Sequence, residues 1–319
     1  MKTENLKFQS KDNKTMIDAV CWIPDNGEYH TVLQIVHGMV EYKERYEPFA
    51  KFLTEQGFMV AAHDHLGHGE SVRSQDDWGY MEEKDPSGTL VEDMHTLRTM
   101  LQKENPGKPY FILGHSMGSY MLRKYLAKYG EGLDGAIVMG TGSIPDGTTK
   151  LAIALTKCMA KIHGWRYRST FVQNLTYGRP YKKFDVTGKD AKNSWLTKDE
   201  EIVKAYYAHP KCTFQFTLNA YLGLFEAVLF DNQPKNIDKI PKDLPILLVS
   251  GEEDPVGDLG VGVKRVYHMF KKAGIQDVIC RLYKNDRHEI LNETDKEVVY
   301  GDILLWLNKK RENAEEVEF

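Results

Sequence analysis

From Thr31 onward the chain alternates short apolar runs with amphipathic stretches, and this rhythm constrains the fold more than any single motif. The runs TVLQIVHG (31–38), FMVAAHDH (58–65), PYFILG (109–114), LDGAIVMGTGS (133–143), LPILLVSGEEDP (244–255) and VICRLYKND (278–286) read as strands. Between or after them, RYEPFAKFLTEQG, LVEDMHTLRTMLQKENPG, SYMLRKYLAKYG, VGVKRVYHMFKKAG and VVYGDILLWLNKK carry apolar residues at helical spacing. Gly57, Pro106 and Gly107 supply stop signals. Continuous apolar strands separated by crossover helices require parallel pairing with both sheet faces covered, so the expected class is α/β. Two β-like segments, 6–9 and 16–23, precede the alternation.

The rhythm fails once, between 144 and 235, where no strand pattern occurs. LAIALTKCMAKIHGW places Leu151, Leu155, Met159 and Ile162 on one helical face, and YLGLFEAVLF (221–230) is apolar almost throughout. The expected organisation is a core of 1–143 and 236–319 with a helical cap, 144–235, inserted between two halves of one sheet. The insert holds fourteen Lys and Arg against eight Asp and Glu, a surplus of six positive charges. The whole chain has net charge -4, so the remainder carries -10. A basic, apolar-rich cap on an acidic body suits peripheral contact with an anionic lipid surface, and equally a solvated lysine-rich face. The charged tail RENAEEVEF is expected to fray.

A weakly acidic chain of pI near 6.3 does not suit nucleic acid. The N-terminus lacks the apolar stretch of a secretory signal, and no run reaches the roughly 18 to 20 apolar residues of a membrane span. Cys21, Cys158, Cys212 and Cys280 form no CxxC pair, which fits reduced thiols. A cytoplasmic location is expected.

Chemistry is concentrated at strand ends. GHSMG sets Ser116 between Gly114 and Gly118, with His115 and Met117 as the variable positions, where a strand passes into a helix. A nucleophile elbow holds its serine in a sparsely allowed conformation above the sheet, and flanking glycines remove the Cβ atoms that would clash. The helix N-terminus also aims free N–H groups at developing negative charge. A serine hydroxyl needs a base, and the base a carboxylate. In this topology the order is serine, acid, histidine. Asp254 follows the strand ILLVSG, beside Glu252 and Glu253 but at the turn before Pro255. His288 follows CRLYKND and is the only histidine after His268. Two N–H donors complete an oxyanion site. Met117 N–H is the first; the second is Met39 N–H, after His37 and Gly38 at the end of the earlier strand. The alternative for each glycine motif is an ordinary packing turn.

HDHLGHGES (63–71) offers metal-ligand types in His63, Asp64, His65 and His68. No second cluster supplies the remaining ligands, so it reads as a hydrogen-bonded loop beside the site, turned by Gly67 and Gly69. No metal and no cofactor are expected.

HGMVEYKERYEPFAKFLTEQG, AHDHLGHGES, GHSMGSY, SGEEDPVG and RHEILNE, in this order, resemble the α/β-hydrolase superfamily. Within it the chain is similar to the monoacylglycerol lipase and bacterial lysophospholipase group, which is also grouped with the serine aminopeptidases. The resemblance implies a mostly parallel sheet flanked by helices, a Ser116–Asp254–His288 triad, Met39 and Met117 as oxyanion donors, and no cofactor. It implies cleavage of fatty-acyl esters of small alcohols. The sequence departs from the lipase pattern at Met39, where a small residue is common, and at Tyr42, where a histidine is common. The expected function is hydrolysis of single-chain lipid esters through an acyl-enzyme. A peptidase or amidase, a thioesterase and a non-catalytic binding protein of the same fold are the alternatives.

Overall fold

A computed structural model describes residues 1–317, with side chains through residue 312. Its strands are β1 (Lys2–Gln9), β2 (Met16–Ile23), β3 (Thr31–Val36), β4 (Phe58–His63), β5 (Tyr110–His115), β6 (Gly135–Met139), β7 (Ile246–Gly251) and β8 (Val278–Tyr283). They form one sheet in the order β1-β2-β4-β3-β5-β6-β7-β8. β2 is antiparallel to β1 and β4, and every other neighbouring pair is parallel. The helices are α1 (Glu47–Thr54), α2 (Pro86–Glu104), α3 (Met117–Tyr129), α4 (Asp146–His163), α5 (Thr170–Thr176), α6 (Glu200–Ala208), α7 (Leu218–Asp231), α8 (Pro234–Ile237), α9 (Val261–Lys272) and α10 (Lys296–Val317).

Alternation along each strand divides the core into two layers. Val32 and Val36 of β3 and Ile112 of β5 meet α2, α3 and α9, chiefly through Leu90, Met94, Leu97, Met121, Leu122 and Phe270. Leu33, Ile35, Phe111 and Leu113 point the other way, onto Phe49 and Leu53 of α1 and Ile303 and Trp306 of α10. Strands β3 to β7 are thus buried on both faces, which is why they carry no polar alternation, whereas the edge strands β1 and β8 are partly exposed.

Several boundaries differ from the sequence pattern: β1 begins at Lys2 rather than at residue 6, and α4 at Asp146 rather than at Leu151. α2 begins at Pro86, a turn before its first periodic apolar residue, because Asp85 accepts the Gly88 N–H at 3.0 Å and Pro86 occupies the first helical position. α10 continues through most of the charged tail, to Val317. Residues 318 and 319 lie outside the described residues.

Between β6 and β7 the chain is helical apart from one isolated bridge, Asp185–Ser194. α7 is hydrophobic all round because it is buried. Leu218, Tyr221, Phe225 and Val228 belong to the same core layer as α2 and α3. α4 packs on α7 with its own apolar face only partly covered: Leu151 and Ile162 stay exposed, Leu155 and Met159 half-buried. All four cysteines are unpaired. Among the described residues no helix is long and apolar enough to cross a membrane.

Candidate active site

β3 and β5 lie side by side, yet the chain leaves β3 toward β4 on one flank and returns to β5 on the other. A crevice outside the carboxyl ends of two such strands is where an open α/β sheet accepts a ligand. Ser116 stands there, between the last residue of β5 and the first of α3, at φ 53° and ψ -120°. This left-handed conformation is strained for a residue with a Cβ, and the surrounding packing has to enforce it.

The glycines enforce it differently from the sequence expectation. A Cβ on Gly114 would meet the Gly118 carbonyl oxygen at 2.5 Å, and one on Gly118 the Val36 carbonyl oxygen at 2.1 Å. They permit α3 to press onto β5 and β3 rather than clearing space around the serine itself. The glycine that borders the serine is Gly38, whose added Cβ would lie 3.0 Å from the Ser116 Cβ.

Asp254 and His288 arrive from the ends of β7 and β8, and both are buried. Asp254 Oδ1 accepts from His288 Nδ1 at 3.0 Å and from the Val256 N–H at 2.8 Å, and its Oδ2 accepts the Ser250 hydroxyl at 2.9 Å. Burial pushes the Asp254 carboxyl up, but His288 and these donors outweigh it and hold the group below the usual carboxylate range. An ionised Asp254 requires the proton of neutral His288 to sit on Nδ1, which leaves Nε2 as an acceptor. Glu252 and Glu253, the neighbouring carboxylates, do not bond to His288; Glu253 is 3.7 Å from Lys183.

Met39 and Met117 both line the cavity in front of Ser116. Among the described residues neither of their N–H groups has an intramolecular acceptor, whereas the Gly38 N–H donates to Glu41 Oε1 at 2.5 Å. His37 fixes the same loop from behind. Its Nε2 accepts the His65 N–H at 2.9 Å, so Nδ1 bears the proton and donates to the Gly38 carbonyl at 2.8 Å. Tyr42, the other departure from the lipase pattern, stacks on His209 at 4.7 Å rather than facing the cavity.

His37, His63, His65 and His68 pack as one buried group, with ring centroids 4.4 Å apart for His37–His65 and 5.0 Å for His63–His65. Burial pushes all four down, His63 to about 3 and His68 to about 4, so they are neutral. Asp64 is occupied by the Lys43 ammonium at 3.0 Å and the Glu70 N–H at 2.8 Å. Among the described residues the one trio with metal-ligand spacing is Asp286, Glu293 and Asp295. The Lys198 ammonium sits on it, 2.8 Å from Asp286.

A charged network that the sequence reading missed lies under the site. Glu41 Oε1 accepts from Gly38 N–H, from the Tyr46 hydroxyl at 2.9 Å and from His115 Nδ1 at 3.1 Å. Its Oε2 accepts Arg45 at 2.7 Å, and Arg45 grips both oxygens of Glu289 at 2.8 and 2.6 Å. Burial pushes Glu41 up and His115 down, yet their mutual attraction reverses both shifts, lowering Glu41 and raising His115. The network sets two carboxylates against the Arg45 guanidinium and the raised His115, pairing of the kind that lets buried charge be tolerated. It joins the loop after β3 (Gly38), the turn before Ser116 (His115) and the neighbour of His288 (Glu289). Glu41 and Arg45, four residues apart, were visible as a spacing, but their partners at 115 and 289 were not.

The space above Ser116 and His288 is a cavity of about 950 Å³. Its floor is formed by the ends of β3 and β5, its walls by Leu151, Leu155, Leu175, Tyr181, Trp195 and Phe225 from the inserted helices and turns, among others.

The family model described as "Serine aminopeptidase, S33" matches residues 27–295. A monoacylglycerol lipase of Mycolicibacterium smegmatis is 28% identical over 290 residues, covering 90% of each chain. Human monoglyceride lipase is 24% identical over 306 residues, 92% of this chain and 87% of its own. A thermostable carboxyl esterase of Bacillus coagulans, solved with glycerol, superposes with a TM-score of 0.87 at 30% identity, covering 98% of this chain and 99% of that one. With the sheet order, the strained serine and the buried Asp–His pair, these similarities place the chain in the serine aminopeptidase S33 family of α/β-hydrolases, in the group that holds the monoacylglycerol lipases.

Proposed function

We propose that the protein is a serine hydrolase that cleaves carboxylic esters of single-chain lipids, of the monoacylglycerol or lysophospholipid type, through an acyl-enzyme. The observation that carries this reading is the cavity of about 950 Å³, lined largely by aliphatic and aromatic side chains, in front of Ser116 and His288. Ser116 attacks the ester carbonyl as its proton passes to His288 Nε2. Asp254 holds the imidazolium in place through Nδ1, and the Met39 and Met117 N–H groups receive the oxyanion. His288 then protonates the leaving alcohol, and water, deprotonated by the same nitrogen, releases the fatty acid. The names of the relatives from M. smegmatis and human, and of the B. coagulans esterase, support the ester class.

An aminopeptidase would need a free carboxylate in the cavity for the substrate ammonium. Of the non-triad carboxylates there, Glu41 and Glu289 are committed to Arg45, which leaves the exposed Asp258 as the one candidate among the described residues. The test is fluorophosphonate labelling read by intact mass, with ester turnover measured across chain lengths. Wild type should take one adduct, and Ser116→Ala should take none and lose roughly 10⁴- to 10⁶-fold in kcat with its circular dichroism unchanged. Ester turnover by the mutant near the wild-type rate would exclude the mechanism.

The same reading extends to where substrate is met. Leu151, Ile162, Phe171 and Leu175 are exposed on α4 and α5, with exposed Lys150 and Lys161 next in sequence to Leu151 and Ile162 on α4, whereas Lys157 pairs with Glu226 at 3.0 Å. Apolar side chains fringed by ammonium groups suit the interface of an anionic bilayer. Sedimentation with vesicles containing phosphatidylserine is the check. Wild type should partition at low salt, and an Ile162→Ser, Phe171→Ser variant should stay in the supernatant while keeping turnover of a water-soluble ester.

A further inference from the structure

The strand-like turn 192–198 of the insert is bound to the loop that carries His288 more extensively than a mere covering would be. The Glu289 N–H donates to the Leu196 carbonyl at 2.7 Å and the His288 N–H to the Trp195 carbonyl at 3.4 Å. Arg287 Nη1 donates to the carbonyls of Ser194 at 2.6 Å, Lys192 at 3.2 Å and Thr197 at 3.2 Å. Lys198 reaches Asp286 at 2.8 Å, and Thr197 donates its hydroxyl to the Asn292 carbonyl at 3.0 Å. Each residue from Asp286 to Glu289 is therefore tied to this segment by at least one bond. At its centre the Trp195 indole lies against the His288 imidazole, centroids 5.0 Å apart and planes 28° from parallel. Tyr181 packs its edge on the far part of the indole at 5.5 Å.

We infer that Trp195 is a positioning residue for His288, supplied by the insert rather than by the sheet. The inference rests on the serine-hydrolase reading above. Asp254 holds the imidazole through Nδ1 and the His115 ring packs on it with centroids 4.7 Å apart, and the Trp195 indole is a further contact that limits swing of the ring about χ1 and χ2. The stacked indole limits that motion and holds the ring in one orientation for proton transfer from Ser116. Its π face also attracts the imidazolium formed when Ser116 gives up its proton. Misplacement of a reacting group by about 1 Å costs on the order of 10²-fold in rate. The sheet and the insert thus each supply part of one proton-transfer unit.

Trp195 also lines the cavity, so the experiment has to separate positioning from a wall contact. The rate of fluorophosphonate labelling, and kcat and KM for 4-nitrophenyl acetate and 4-nitrophenyl decanoate, are measured for wild type, Trp195→Ala, Trp195→Phe and Arg287→Gln. Positioning predicts that Trp195→Ala lowers the labelling rate and kcat for both esters by a similar factor of about 10 to 100. KM for the acetyl ester, which is too short to fill the cavity, stays within about twofold of wild type by the same argument. Trp195→Phe, which keeps a π face, recovers most of the rate, and Arg287→Gln, which loosens the segment without touching the cavity wall, falls between. Loss confined to the decanoyl ester, with labelling at the wild-type rate, would make Trp195 a wall only and overturn the inference. If the alanine variant does not fold, Arg287→Gln with wild-type labelling overturns it equally. Absence of any adduct on wild type would instead remove the serine-hydrolase reading on which the inference stands.

Discussion

At the scale of single residues, the site depends on Glu41 as much as on the groups that do the chemistry. One of its oxygens accepts from the Gly38 N–H, the Tyr46 hydroxyl and His115 together, so loss of any partner changes the position of the others. The pair it makes with His115 has a definite pH signature. His115 sits above its ordinary value of 6.5, because the attraction of Glu41 exceeds the cost of burial. Its contribution to stability is complete below the unfolded value and is lost as pH rises through the elevated folded one. Glu41 is depressed below 4.5, so its contribution is present above that value and lost only at much lower pH. The two windows overlap between about pH 4.5 and 6.5. The stability gap between wild type and His115→Gln, from urea unfolding, should be widest near pH 6 and shrink by pH 9. A gap of constant size across that range would show that His115 is uncharged in the folded protein.

At the scale of elements, what was legible in the sequence was what has a period. The strands from β3 to β8, the flanking helices and the serine turn follow from apolar runs and glycines whose spacing is local. The Ser116, Asp254 and His288 positions were readable because a parallel sheet brings all strand ends to one edge. The Glu41–His115–Arg45–Glu289 set was not, since Arg45 and Glu289 are 244 positions apart and charge carries no periodicity. Trp195 was equally hidden, in a turn between short helices with no repeating pattern. The role of the elbow glycines was half readable: their need was evident, but the contacts that impose it are with α3 and β3. Gly118→Ala puts this to the test, because its Cβ would lie 2.1 Å from the Val36 carbonyl oxygen and α3 would have to move away from β3. The expected result is a loss of roughly 1–3 kcal/mol, as for other overpacked core sites, together with slower fluorophosphonate labelling as Ser116 shifts. Labelling at the wild-type rate in a destabilised Gly118→Ala protein would mean that the elbow tolerates displacement of its helix.

At the scale of the whole molecule, the insert is not one layer. α7 lies within the core, with Leu218, Tyr221, Phe225 and Val228 nearly or fully buried against the sheet-side helices. Removing four such side chains costs roughly 6–12 kcal/mol, the size of a domain's entire stability of about 5–15 kcal/mol. α4, α5 and α6 stand outside it, with α4 and α5 packing on the core through Ala160 and Val172 and the rest joined through ion pairs, backbone bonds and the grip on His288. The ends of this outer part are held at opposite ends of α7: Asn232 donates to the Ile144 carbonyl at 2.7 Å, while the Leu218 N–H donates to the Tyr167 carbonyl at 2.9 Å. α7 has 14 residues, about 21 Å at 1.5 Å per residue, so a flexible linker of about twelve residues spans the gap. Replacing 146–217 by such a linker should leave a folded, cooperatively unfolding α/β core, and extending the excision through 231 should not. In the shorter deletion Ser116 stays on its turn while His288 loses Trp195 and the clamp around Arg287. That protein should melt cooperatively yet label with fluorophosphonate at least 10-fold more slowly than wild type, within the range set by a displaced catalytic group. Labelling at the wild-type rate by the folded deletion would assign all positioning of His288 to the sheet.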